Sequence, residues 1–166
     1  TAGSLARQCA RAIGLKVDEP ELTMVSHTGQ MDAGLDDFIA ELMAIPGFSE
    51  TGAEKIAEWH GKRTLPIVQS ARSSPILRAS LCPHTEHIVG EAVEAFQHEY
   101  AVKLADVLLR RVPVALGPCW SSQCSEIAAA KIASAMGWSS AEMNSQLESF
   151  QSERQAFVGN PADAKE

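Results

Sequence analysis

The stretch Cys82-Pro-His-Thr-Glu-His87 puts a thiol, two histidines and a carboxylate within six residues. These are the residue types that hold transition metals or move protons. His87, Glu91, Glu94 and His98 then recur at helical spacing, so they share a face. A carboxylate-bridged pair of metals needs matching Glu-x-x-His ligands on other helices, and this chain contains no Glu-x-x-His. The four residues therefore read as a solvated helix face behind a polar loop. Cys119 and Cys124 have four residues between them, at the edge of the usual Cys-x₂₋₄-Cys zinc spacing, but the other two cysteines, Cys9 and Cys82, lie far away in sequence and form no second pair, so zinc is not expected.

Other catalytic patterns are incomplete. "HTGQMDAG" has scattered glycines but no G-x-G-x-x-G between a strand and a helix, so no phosphate cradle is expected. No serine sits in a G-x-S-x-G elbow. The residues alone thus assign no catalytic, cofactor-binding or metal-binding side chain.

Glu99 poses a sharper question. It lies three residues beyond Phe96 on an apolar stripe, where an unpaired carboxylate is costly. Arg110 and Arg111 end the same stretch, with Asp106 four residues before Arg110. The expectation is an internal brace of Glu99 with Arg110 or Arg111. An unbroken helix would hold Glu99 and Arg110 about 16 Å apart, at a rise of about 1.5 Å per residue. The brace therefore predicts a break near Val102–Lys103.

The elements that must place these groups are helical throughout. Leu5, Cys9, Ala12 and Ile13 form one stripe, and residues 15–31 read as loop. Leu35, Phe38, Ile39, Leu42 and Met43 form the next stripe, closed by Pro46-Gly47. Ser49 as N-cap and Gly61 past the C-terminus bound another helix. Thr64 is expected to cap the helix after it, and residues 73–83 read as loop. Residues 86–111 form a long helical stretch striped by Ile88, Ala92, Ala95, Phe96 and Tyr100, then Leu104, Val107 and Leu108. Pro113 and Pro118 bracket a short extended segment. An alanine-rich helix stops at Gly137. The last helix opens with a capping box at Ser139 and Glu142 and a staple of Trp138 with Met143, and Met143, Leu147, Phe150, Arg154 and Phe157 share its face. Residues 159–166 read as a frayed tail. The sum is an all-α chain, a compact orthogonal bundle of about six or seven helices.

Composition bounds the rest. The 166 residues suit one domain with a sizeable core, and 45% hydrophobic content with 21% charged residues argues against global disorder. A net charge of −7 argues against nucleic acid, whose binders carry basic patches. No apolar run reaches the roughly 18 residues of a membrane span, and no secretory signal is visible. Four cysteines are too few for a disulfide scaffold, which favours reduced thiols in the cytoplasm. The start at Thr1 rather than methionine reads as a piece of a longer chain.

Several of these stretches match one family. "GEAVEAFQHEYAVKLADVLLRR" resembles a signature of the helical C-terminal domain of FAD-dependent glycerol-3-phosphate dehydrogenases of the aerobic flavoprotein type. Glu91, Ala95, Glu99, Ala101, Leu104, Asp106, Val107, Leu108, Arg110 and Arg111 fall on that pattern. "AGLDDFIAEL", "AEKIAEWHGKRTLPIV" and "AMGWSSAEMNSQLESF" are similar to further segments of the family, in its order, and "TAGSLARQCARAI" to the helix before them. A tyrosine-glycine commonly stands where this chain has His60-Gly61. The family's tyrosine-arginine falls on Ala2-Gly3 and its threonine on Lys103.

The resemblance implies a C-terminal accessory domain over residues 1–158, structural rather than catalytic. The full-length parent would oxidise sn-glycerol 3-phosphate to dihydroxyacetone phosphate with FAD, passing electrons to quinone or oxygen. FAD would sit in an N-terminal domain, the first partner of this one. A homo-oligomer and peripheral contact with the inner face of the membrane are the other implied partners. The rival expectation is a freestanding helical interaction module with no redox role.

Overall fold

The computed structural model describes residues 11–14, 28–117 and 120–158, with the backbone alone for residues 28–33. Leu5, Cys9, Cys119, residues 15–27 and the tail 159–166 lie outside the described residues. Among those described, six helices have ten or more residues: α1 (Thr28–Met43), α2 (Glu50–His60), α3 (Thr64–Ser73), α4 (Val89–His98), α6 (Ser122–Met136) and α7 (Ser140–Val158). The short α5 (Leu104–Asp106) continues as a π-helical turn over Val107–Arg111. Extended pairing is limited, among the described residues, to an isolated antiparallel bridge between Ser80 and Ile88. The chain is all-α, and its helices pack compactly on one another.

Local chemistry sets most of the boundaries. Ser49 Oγ accepts from Gly52 N at 3.0 Å and starts α2. Gly61, at φ 55°, ends it, and Gly137, at φ 71°, ends α6 in the left-handed conformation that glycine adopts without penalty. Ser121 Oγ caps α6 through Cys124 N at 3.1 Å. Ser139 Oγ accepts from Glu142 N at 3.2 Å, one half of the expected capping box.

Two apolar cores result. Leu42, Ile45, Ile56, Ile67 and Val68 join α1, α2 and α3, with Ile88 closing that cluster. Leu81, Val89, Ala92, Leu104, Leu108, Ala128, Ile132 and Phe150 join α4, α5, α6 and α7 in the second. Each fully buried Leu, Ile or Phe contributes roughly 1.5–3 kcal/mol over its exposed state. The start of α4 is where the two meet. Gly90 N donates to Leu77 O at 2.7 Å, and a Cβ on Gly90 would come within 3.1 Å of that oxygen, so a larger residue would have to push this backbone back by a few tenths of an ångström.

Several expectations need correction. Helix α1 begins at Thr28, inside the segment expected to be loop. Met43 is 44% exposed, and Ile13 is 74% exposed, so neither joins a core. Thr64 caps nothing: a 3₁₀ turn over Gly61–Arg63 runs straight into α3, and the Thr64 hydroxyl is buried without a hydrogen-bond partner. The stretch 86–111 is not one helix. It starts at Val89, stops at His98 and resumes at Leu104, and Tyr100 is 93% exposed instead of on the stripe. Pro113 is followed by a 3₁₀ turn, Val114–Leu116, rather than an extended segment. Phe157 is also exposed at the surface, where the Arg110 guanidinium lies 5.4 Å from its ring centroid.

Candidate functional site

Glu91 occupies the first turn of α4 with its side chain fully buried. Its Oε1 is 2.8 Å from His60 Nε2 and 2.8 Å from His87 Nδ1, and its Oε2 accepts from Ile88 N at 2.6 Å. An ionised carboxylate only accepts, so both ring nitrogens donate to it. Burial pushes the Glu91 carboxyl upward. The hydrogen bonds from His60 and His87 outweigh that effect, and the carboxyl titrates below its ordinary value. Three elements meet here: the end of α2 brings His60, the loop before α4 brings His87, and α4 brings Glu91.

Glu94 is also buried, 3.1 Å from His98 Nδ1 at the end of α4. The expected solvated face of His87, Glu91, Glu94 and His98 is therefore wrong for both glutamates. Ile88, Ala92 and Ala95, all buried, flank Glu91 on the helix surface. That apolar setting was the sequence signal for burial, and the partner histidine from α2 was the part sequence spacing missed.

The second charged centre answers the question of the paired arginines. Glu99 follows α4 with its side chain 7% exposed. Its Oε2 lies 3.5 Å from Arg111 Nε, and Arg63 binds its Oε1. Arg111 also donates to the Glu99 carbonyl, from Nε at 3.3 Å and Nη2 at 3.2 Å. The expected brace exists, and it needs the expected break. Glu99 N and Ala101 N both donate to Ala95 O at 3.1 Å, while Tyr100 holds φ 59° between them. Asp106 Oδ2 then accepts from Val102 N and Lys103 N, each at 3.0 Å, the half of a capping box in which the third helical residue reaches back to the amide at the cap position. Burial raises the Asp106 carboxyl, but these amides and Arg110 lower it further, for a net downward shift.

Arg110 goes elsewhere. It meets Asp106 Oδ1 at 3.2 Å and pairs with Glu153 of α7. The π turn sends neighbouring guanidinium groups in two directions, Arg111 to the end of α4 and Arg110 to α7. Arg154 completes the anchorage of α7 by donating to Ala115 O at 2.8 Å and Trp120 O at 3.2 Å.

An open groove of about 550 Å³ lies beside His87, walled by Trp59, Pro83, Pro113 and Trp120, with Lys55 and Glu86 at its polar edge. Trp59 is fixed there by donating from Nε1 to Arg111 O at 2.6 Å. The groove does not fit FAD. Its lining holds a single glycine, Gly117, where an added Cβ would meet Val114 O at 3.2 Å, and no strand feeds a glycine-rich turn at its edge. Among the described residues no three His, Cys, Asp or Glu side chains gather to hold a metal ion. No helix among them is long and apolar enough to cross a membrane.

Fold and site together define a helical domain in which two buried carboxylates, Glu91 and Glu99, are paired with histidines and with arginines. Residues 26–143 match the family model of the C-terminal domain of alpha-glycerophosphate oxidase, and the chain belongs to that family. No curated protein and no solved structure gives a significant match.

Proposed function

We propose that this chain is the C-terminal helical accessory domain, residues 1–158, of an FAD-dependent glycerol-3-phosphate dehydrogenase or oxidase. The carrying observation is the family match over residues 26–143. In this reading an N-terminal domain binds FAD and oxidises sn-glycerol 3-phosphate to dihydroxyacetone phosphate. When bound there, FAD accepts the hydride. This chain's residues do not touch the reacting atoms. Glu91 with its histidines, and Glu99 with Arg63 and Arg111, hold α2, α4 and α5 in fixed register, so that the domain is a rigid body for the flavoprotein to pack against.

The organisation of the reading frame tests this. The coding sequence upstream of Thr1 should encode a strand, a G-x-G-x-x-G turn and a helix. A start codon directly before Thr1, with no such segment in the polypeptide, would favour the freestanding interaction module instead.

A further inference from the structure

We propose that the open groove beside His87 is a binding site for a small aromatic hydroxy acid, a molecule with a planar ring, a carboxylate and a ring hydroxyl. The inference is independent of the flavoprotein reading. At about 550 Å³ the groove falls within the range of ligand sites, roughly 300–1,000 Å³. Such sites combine apolar walls with a few placed polar groups, and this groove has that make-up.

Two indoles make the walls, and both are fixed. Trp59 Nε1 donates to Arg111 O at 2.6 Å, and Trp120 Nε1 donates to Ser125 Oγ at 2.9 Å. Each N–H is thus satisfied within the protein, and the two side chains offer the groove ring carbon. Pro83 and Pro113 add further apolar surface. Trp59 is 53% exposed, and a planar ring stacked against it would cover that surface.

The polar groups select the ligand. His87 Nδ1 donates to the fully buried Glu91 carboxylate at 2.8 Å, which fixes the orientation and the tautomer of the ring. The neutral ring then carries its lone pair on Nε2, and no described residue bonds to that atom. The His87 side chain is 18% exposed at the groove wall, so Nε2 is placed to accept from a ligand hydroxyl. Lys55 lies one turn before Trp59 on the same face of α2. Its ammonium has no ion-pair partner among the described residues. The acidic side chain at the same edge, Glu86, is engaged by Ser49 Oγ, which donates to its Oε2 at 3.1 Å. An unpaired cation at the rim of an apolar groove favours a carboxylate. The ligand ring would lie between these two polar ends, against the indoles.

The test titrates para-hydroxyphenylacetate into the folded 166-residue chain. Tryptophan fluorescence should quench saturably, and the His87 imidazole signal in proton–carbon correlation spectra should move along the same curve. Phenylacetate, which lacks the hydroxyl, and para-methylphenol, which lacks the carboxylate, should each bind roughly three- to tenfold more weakly. Lys55→Ala should weaken para-hydroxyphenylacetate by a similar factor and leave para-methylphenol unchanged. Lys55 is exposed and unpaired, and circular dichroism checks that the variant is folded. Quenching that never saturates, a His87 signal that stays in place, or undiminished affinity for para-hydroxyphenylacetate in folded Lys55→Ala would overturn the proposal.

Discussion

Replacing Glu91 by alanine should be the most damaging single change in the charged centre. The carboxylate accepts from His60, from His87 and from the amide of Ile88, so one truncation leaves three donors without a partner. The His60 side chain is 4% exposed and that of Glu91 0%, so water cannot replace the lost acceptor at His60. Removing one partner of a buried charged pair costs about 3–5 kcal/mol. Losing the acceptor at the α4 N-terminus adds about 1 kcal/mol. The expected loss of about 4–6 kcal/mol is a large part of the roughly 5–15 kcal/mol that holds a domain folded. Glu91→Gln keeps one oxygen for the histidines but turns an amide N–H₂ toward the Ile88 N–H, and should cost about 1–3 kcal/mol. Urea unfolding at neutral pH, followed by circular dichroism, measures both. Acid adds a second readout. The folded carboxyl titrates below its ordinary 4.5, so on acidification the unfolded chain takes up this proton first. The contribution of Glu91 is complete above that value and fades as pH falls through the depressed folded value. Glu91→Gln should lack this acid-dependent part. A loss under about 1 kcal/mol for Glu91→Ala, or a glutamine variant as unstable as the alanine one, would refute the reasoning.

Three further outcomes are expected. Glu99→Ala should cost about 1–2 kcal/mol rather than more, because the Arg63 and Arg111 side chains it releases are 63% and 42% exposed and can rehydrate. Combined with Arg111→Ala it should cost less than the sum, and strict additivity in the unfolding cycle would remove the brace. Ser139→Ala should lower stability by about 0.5–2 kcal/mol through loss of the acceptor for Glu142 N, visible as a lower denaturation midpoint. Tyr100→Gly should be neutral or stabilising by up to about 1 kcal/mol, since a non-glycine residue at φ 59° is strained and the exposed ring packs on nothing, whereas Tyr100→Val should destabilise; thermal melts that rank valine above glycine would contradict this.

What could be read from sequence was what is local. Ser49, Gly61, Gly137 and Ser139 mark helix ends because capping depends on a few adjacent residues, and all four stand at the ends expected of them. The break after α4 was legible from energetics: a carboxylate on an apolar stripe and arginines too far along a straight helix require a bend. What was not legible came from other elements. Thr64 looks like a cap only while the 3₁₀ turn before it is unknown. Glu91 looks solvated only while His60, thirty-one residues earlier, is not seen beside it. Asp106 holds the start of the new helix by reaching back to the Val102 and Lys103 amides, and the break stands with a lysine at the cap position.

The central claim is that this domain accompanies a flavoprotein without binding its cofactor. It is tested most directly by the visible absorbance of two purified proteins, the full-length gene product and residues 1–166 alone, each supplied with FAD and then desalted. The full-length protein should keep the yellow flavin band and the isolated chain should be colourless. A flavin band retained by the isolated chain, or a colourless full-length protein, would contradict the account.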